Sequence, residues 1–327
     1  MRRASATATC VKREPSNRID WLLSIPFLGM HLVCGTVFWS PVSKPAIATC
    51  LALYVIRMFA ITAGYHRYFS HRSYQTSRWF QFVLACIGCS ALQKGPLWWA
   101  AHHRYHHQHS DQDTDIHSPV RRGFWWSHVG WILCTRYDDT NYNRVKDLAA
   151  YPELCWLNRF CLVPGVLMAL GCFLTLGWAG LLWGFLVSTV LLYHGTFTIN
   201  SLCHLFGTVR YRTPDGSRNN LALALITLGE GWHNNHHFYA SSTRMGFFWW
   251  EIDVSYYGLK LLSWFGIVWD LKQPPKRVFE QSAPLDPTTV MESLVSEAND
   301  GVKICSAIRG IETEEQSNGH RDHQTSD

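Results

Sequence analysis

Imidazoles gather at three places in this chain, and their spacing is that of metal ligands. His103, His106 and His107, inside HHRYHHQH (His102 to His109), stand at i, i+3 and i+4, so on a helix they share one face and aim at one point. The same offsets recur at His233, His236 and His237, and a third pair, His66 and His71, closes an apolar segment. One such cluster can be a solvated polar run; its recurrence points to metal. Eight convergent rings exceed the needs of one ion and imply two, and His204, in NSLCH (Asn200 to His204), is a ninth candidate. An all-nitrogen set without thiolates suits iron, zinc or copper. Iron brings redox and oxygen chemistry, whereas zinc allows only Lewis-acid or hydrolytic work. A ligating imidazole is neutral and its second nitrogen needs an acceptor; Asp111, Asp113, Asp115 and Glu230 lie beside the motifs for that role. His102, His109, His117 and His128 fall off the ligand face or in loops, and His31 and His194 read as polar residues packed inside apolar stretches.

The elements that must position these rings are apolar. Trp21 to Trp39 has no charge and the length of a bilayer span, and after a link with Pro41 and Pro45, Ala46 to Tyr65 forms a second span carrying one arginine, Arg57. That arginine either turns into the bundle or snorkels to the interface. Phe160 to Gly177 and Leu181 to Ile199 make a second pair, joined by Trp178-Ala179-Gly180. The expected fold is an all-α membrane protein: four transmembrane helices (21–39, 46–65, 160–177, 181–199) in two hairpins, under a histidine-rich helical cap of residues 66–159 and 200–272. Trp79 to Ala101 is broken by Gln81, Gln93, Lys94, Gly95 and Pro96; crossing there would part His66 and His71 from His103, so it reads as interfacial or re-entrant. Basic residues crowd the N-terminal segment 1–20 and the long middle loop, while the two hairpin links carry only Lys44, which places the cap in the cytosol. A bacterial inner membrane is favoured, the endoplasmic reticulum being the alternative. Gly246 to Asp270 reads as an amphipathic helix on the membrane surface, and residues 273–327 as a polar, disordered tail.

Composition agrees: 47% hydrophobic residues and 16 tryptophans are heavy for a soluble protein. A net charge of +5, with arginines dispersed among aromatics, gives nucleic-acid binding little support. The 11 cysteines are scattered through apolar stretches; Cys86-x-x-Cys89 has no second pair and reads as two buried, reduced thiols. Residues 1–20 lack the apolar core of a cleaved signal peptide.

HRYFSH (His66 to His71), HRYHH (His103 to His107), GEGWHNNHH (Gly229 to His237) and NSLCHLFG (Asn200 to Gly207) together resemble the integral-membrane fatty acid desaturases, with closest similarity to the Δ9 acyl-CoA (stearoyl-CoA-type) branch, over residues 20–272. The resemblance implies a di-iron centre held by His66, His71, His103, His106, His107, His204, His233, His236 and His237, with Asn200 reaching one iron through water. It implies O2 as co-substrate and removal of two hydrogens from adjacent methylenes to leave a cis double bond and water. Electrons must come from a separate donor of cytochrome b5, ferredoxin or rubredoxin type with its reductase, since neither an HPGG motif nor a Gly-rich nucleotide unit is evident. By the same similarity Gln93, Trp99 and Thr196 shape a kinked acyl tunnel, with Tyr54 and Met58 near its closed end, and Met58 shortens it in favour of palmitoyl over stearoyl chains. The sequence departs from the animal enzymes at Ala101-His102, where they have Arg-Asp, and at Phe197, where they have Trp. Both changes remove head-group contacts and leave acyl-CoA, acyl carrier protein and membrane lipid open as carriers. A di-iron fatty acid or alkane hydroxylase is the nearer alternative. A metal transporter is the remoter one, because transport wants ligands at the bilayer midplane and these sit at span ends.

Overall fold

The computed structural model describes residues 16–40 and 42–282, and what it describes is mostly helical. Helix α1, Trp21–Cys34, starts at Asp20, whose carboxylate accepts from the Leu23 amide at 3.1 Å, and ends in a 3-10 turn, Gly35–Phe38. Helix α2, Lys44–Phe59, is capped by Ser43 and runs without a break into a π-helix, Ala60–Ser70. After an extended link come α3, Arg78–Cys89, and α4, Pro96–His109, which part at residues 90–95 as the polar interruption predicts. Short helical turns fill 119–159 before α5, Val163–Ala179, a second π-helical stretch, Gly180–Val187, and α6, Ser188–Ser201. Helices α7, His233–Phe238, and α8, Val254–Trp264, complete the cap.

Among the described residues, three helical segments are long and apolar enough to cross a membrane: Trp21–Phe38, Lys44–Ser70 and Val163–His204. The third is not straight. Gly177 adopts φ +59°, a conformation glycine takes without penalty. A Cβ on Gly184 would lie 3.5 Å from Cys172 Sγ. In an unbroken helix those two positions would be about 18 Å apart at 1.5 Å per residue, so the arms on either side of Gly177 lie against each other. The outward faces of these segments expose Leu22, Leu32, Leu51, Val166, Leu167 and Leu174, an apolar surface suited to lipid.

Arg57 turns inward. It is fully buried, and its guanidinium donates to Ser188 Oγ, to Thr189 Oγ1 at 2.7 Å and to the carbonyls of Leu53 and Ser90 at 3.1 and 3.3 Å. The main core joins the membrane arm to the cap through Met58, Tyr65, Phe69, Leu84, Leu97, Leu157, Leu192 and Leu259. A two-residue antiparallel pairing, Gln75–Thr76 with Val268–Trp269, fastens the chain after His71 to the segment after α8.

Two expectations need correction. Of Gly246 to Asp270 only Val254–Trp264 is an α-helix, because Glu251 and Asp253 are buried as partners for Arg210, Asn235 and Arg67 instead of facing water. Order also continues past residue 272: Lys276–Glu280 is helical, with Val278 buried in a cluster with Tyr211 and Phe247. Residues 1–15 and 283–327, including most of the tail expected to be disordered, lie outside the described residues.

Candidate metal centre

His71 follows His66 at i+5, an offset that on an α-helix would spread the two around the axis. Here they sit in and at the end of the π-helix, where i to i+5 bonding stacks such residues one above the other. The His71 amide donates to the His66 carbonyl at 3.2 Å, and the two rings meet edge to face at 4.9 Å. Helix α4 supplies His103, His106 and His107 from one face, the turn after α6 supplies His204, with Asn200 at the end of α6 before it, and α7 supplies His233, His236 and His237.

All nine predicted histidines come together, in two groups. Ligand atoms of His66, His71, His103, His107 and His236 lie within 4.8 Å of one another, as do those of His106, His204, His233 and His237. The facing atoms are Nε2: His66 to His236 at 2.9 Å, His107 to His236 at 2.9 Å, His71 to His103 at 2.8 Å and His204 to His233 at 3.0 Å.

On the outer side, Nδ1 of His106 meets Asp115 at 3.1 Å, Nδ1 of His204 meets Asp111 at 2.9 Å, Nδ1 of His237 meets Asp215 at 2.6 Å, and Nδ1 of His66 pairs with Glu230. A carboxylate only accepts, so each of these Nδ1 atoms carries the hydrogen and each Nε2 is left as a bare lone pair aimed inward. Those lone pairs outnumber the donors. His236 Nε2 faces two of them with at most one hydrogen, and His237 Nε2 is buried with no partner. Bare imidazole nitrogens converging at 2.8–3.0 Å are what a divalent cation satisfies, so the residues present fit two metal ions.

The electrostatics keep six of the rings in ligand form. Burial, reinforced by neighbouring imidazoles, holds His71, His103, His107, His233 and His236 well below the usual histidine range. His237 is lowered to about 4, burial outweighing Asp215. Burial pulls His106 down too, but Asp115 prevails and its net shift is upward. Burial would raise Asp111, yet the bonds from His204, Ser118 and Gly216 lower it to about 2; Asp115, Asp215 and Glu230 are also lowered despite burial.

Three of the four acids expected to support the ligands do so; Asp113 does not, being 91% exposed beside Arg121. Sequence reasoning missed Asp215, which lies between two motifs, 22 residues before His237, and adjoins neither. It also passed over Arg67, buried between Glu230 (2.9 Å) and Asp253 (2.9 Å), and the two asparagines of HNNHH. Asn234 Oδ1 accepts from the Arg210 and Tyr211 amides at 2.9 and 2.7 Å, while Asn235 Nδ2 donates to Met245 O at 3.0 Å and Glu251 at 2.8 Å, locking α7 in place. His117 stands outside both groups but its ring lies 4.4 Å from that of His106.

Of the residues expected to line a tunnel, Trp99 touches the first group. Trp99 stacks on His103 at 4.8 Å and lies 5.9 Å from His66; Gln93 Nε2 donates to Thr196 Oγ1 at 2.9 Å. Tyr54 and Met58 converge on Gly195, where a Cβ would sit 3.0 Å from the tyrosine oxygen and 2.9 Å from the methionine methyl. Phe197 is buried and stacks parallel to Tyr193, its ring 6.4 Å from Phe27 of α1.

Apolar helices that end in a cage of neutral, carboxylate-backed imidazoles define a membrane protein equipped to bind metal. The chain belongs to the fatty acid desaturase family, whose model matches residues 43–264, and it is an oxidoreductase of that family. It is 37% identical over 270 residues to the sn-2 palmitoyl-lipid 9-desaturase of Nostoc sp. (strain 36), covering 81% of this chain and 94% of the relative. Identity is also 37%, over 265 residues, to the sn-1 stearoyl-lipid 9-desaturase of Anabaena variabilis, covering 80% of this chain and 96% of the relative. An acyl-CoA C20 Delta5-desaturase of Anemone leveillei is 35% identical over 279 residues, 80% of this chain and 88% of the relative.

Proposed function

We propose that this protein is a di-iron, O2-dependent desaturase that places a cis double bond at the Δ9 position of a saturated acyl chain. The observation that carries the reading is the sorting of nine histidines into groups of five and four, with carboxylates behind four of them. His66, His71, His103, His107 and His236 would hold one iron, and His106, His204, His233 and His237 the other, with Asn200 bound through water. Bound iron would supply oxygen activation and hydrogen abstraction. The chain's own residues do the rest: the carboxylates fix each Nδ1 proton so that Nε2 stays aimed inward, Trp99 walls the acyl chain beside His66 and His103, Gln93 and Thr196 set the bend, and Tyr54 and Met58 close the far end.

The membrane arm is read as four crossings in two hairpins, the second turning at Gly177, with the cap in the cytosol. Single cysteines at residues 42 and 178 should then react with an impermeant thiol reagent from the side opposite one at residue 113. Labelling of all three from one side would overturn it.

Carriers are distinguished by the product. Acyl-CoA is the carrier implied by the resemblance, and a lipid-bound chain is a second reading, supported by the lipid substrates named for the Nostoc and Anabaena relatives. Membranes are incubated aerobically with an electron donor and either labelled palmitoyl-CoA or labelled palmitoyl lipid, and products are resolved by mass spectrometry. A Δ9 monoene from either substrate supports desaturation and names the carrier. A hydroxylated chain in its place would establish the hydroxylase alternative.

A further inference from the structure

Helices α3 and α4 are joined by residues 90–95, and this turn is strained. Leu92 adopts φ +56° and Lys94 φ +67°, left-handed conformations that carry a penalty for any residue with a Cβ. Glycine, which takes them freely, stands at neither position. Gln93, between them, donates from Nε2 to Thr196 Oγ1 at 2.9 Å. Backbone of this kind persists only where its surroundings over-determine it, and here they do. The Tyr193 hydroxyl of α6 donates to the Leu92 carbonyl at 3.1 Å. The Tyr65 hydroxyl of the π-helix donates to the Lys94 carbonyl at 3.2 Å, with Cys89 Sγ 3.1 Å from the same oxygen. Both tyrosines are buried. The Leu92 side chain fills the space over Gly165 of α5, where a Cβ would lie 2.3 Å from Leu92 Cδ2.

Each strained residue thus has its own carbonyl held by a tyrosine, and the two tyrosines come from elements that also build the site. Tyr65 immediately precedes His66, and its ring lies 6.0 Å from that of Trp99, which stacks on His103. Tyr193 precedes Thr196 by three residues, and its carbonyl accepts from the Thr196 hydroxyl at 3.0 Å. That hydroxyl has one hydrogen, spent on the carbonyls of Tyr193 and Leu192, so toward Gln93 it only accepts. The side-chain amide of Gln93 is therefore oriented as well as placed. Helix α4 begins at Pro96, directly after the turn, so whatever fixes residues 92–94 also sets where Trp99 and the ligand face of α4 start.

We propose that Tyr65 and Tyr193 are positioning residues for the place of the double bond: by holding the Leu92–Lys94 turn they decide which pair of methylenes comes to rest beside the cage. The role rests on the desaturase reading, in which Gln93 and Thr196 set the bend of the acyl chain. The inner methylenes of a saturated chain are alike in reactivity, so chemistry does not select among them. Geometry must, and the selection is a count of carbons from the bend to the cage. A turn free to relax would withdraw Gln93 from Thr196 and let the chain settle one carbon forward or back. Chain length is read elsewhere, at the far end beside Tyr54 and Met58, so the two specificities separate.

In the full-length enzyme in membranes, Tyr65→Phe and Tyr193→Phe keep each ring and remove one hydrogen bond. Each should raise the share of product unsaturated beside the main position about fivefold, the factor of one net hydrogen bond, as read by mass spectrometry of derivatised products. The preference between palmitoyl and stearoyl chains should stay as in the wild type. A general loss of stability would instead lower total product and leave the isomer ratio untouched. Lys94→Gly, which removes the strain, should return Tyr65→Phe to a single position. A Tyr65→Phe, Tyr193→Phe double variant with the wild-type isomer ratio would overturn the proposal, and so would a variant without product that Lys94→Gly does not restore. A second readout needs no activity: in metal-free protein in lipid nanodiscs, hydrogen exchange should be about fivefold faster in each variant at the amides of Ala91 and Leu92, which donate to the Gly88 and Cys89 carbonyls at 3.0 Å. Unchanged exchange there would overturn the proposal in an active or an inactive enzyme. A wild type that hydroxylates the chain, or leaves it intact, would sink the desaturase reading, while the exchange result still decides whether the tyrosines hold the turn.

Discussion

Asp215 anchors the ring of His237 from 22 residues earlier in the chain. Its carboxylate is all that fixes the tautomer of His237, so Asp215→Ala should weaken iron binding about 10- to 100-fold, read as iron retained against a graded chelator. Asp113→Ala, at a site touching only an exposed arginine, should retain iron like the wild type. The cage also makes stability depend on pH. Six of its rings sit below the ordinary 6.5, His237 at about 4, so below 6.5 the unfolded chain binds protons that the folded rings refuse. The contribution is fully present above 6.5 and is lost as pH falls toward 4; His106, raised by Asp115, opposes it with one ring against six. Metal-free protein should therefore show a falling Tm between about pH 7 and about pH 5, and a flat or rising Tm would contradict the assignment. At this scale the ligands were legible because i, i+3, i+4 spacing encodes a shared helix face. Asp111, Asp115 and Glu230 were legible because they adjoin the motifs. Asp215 was not, since it adjoins no motif, and the role of Arg67 was not, since its partners Glu230 and Asp253 are brought to it only by folding.

Hydropathy located the apolar elements to within a few residues, because a bilayer dictates their length and composition. It placed the reversal at the link after Gly177 but did not show that α2 continues to Ser70, since that depends on backbone hydrogen bonding that side-chain polarity does not report. The contact of Met58 and Tyr54 with Gly195 gives the element scale its prediction: α2 and α6 together close the acyl tunnel. Met58→Ala should open it and move the preferred substrate from palmitoyl toward stearoyl, as read by gas chromatography of products from competing chains. Stearoyl preferred by the wild type and unaltered in the variant would refute this.

Across the whole molecule the membrane arm and cap are tied by buried charge. Arg67, on the segment that leaves the bilayer, spans Glu230 before α7 and Asp253 at the start of α8, and also donates to the Thr243 carbonyl at 2.9 Å. Arg67→Met would strand two buried carboxylates and should cost about 3–5 kcal/mol, measured as a loss of thermal or denaturant stability in detergent. A variant as stable as the wild type would mean that the cap stands without this junction. The sequence announced that cap and span belong together through the histidines alone; it had no pattern for the charge that joins them.

The π-helix between Phe59 and His71 has a consequence for rotation. A helix is a screw, and its wide turns set the angle between the face that carries Met58 and Arg57 and the face that carries His66. Removing one residue there would turn the outer half by about 100° relative to the cage. Such a deletion, for example of Thr62, would swing Arg57 away from Ser188 and Thr189 toward lipid while the ligands stayed where they are. Length in this stretch is thus as constrained as identity: a chain can keep every histidine and still lose the enzyme by being one residue out of phase.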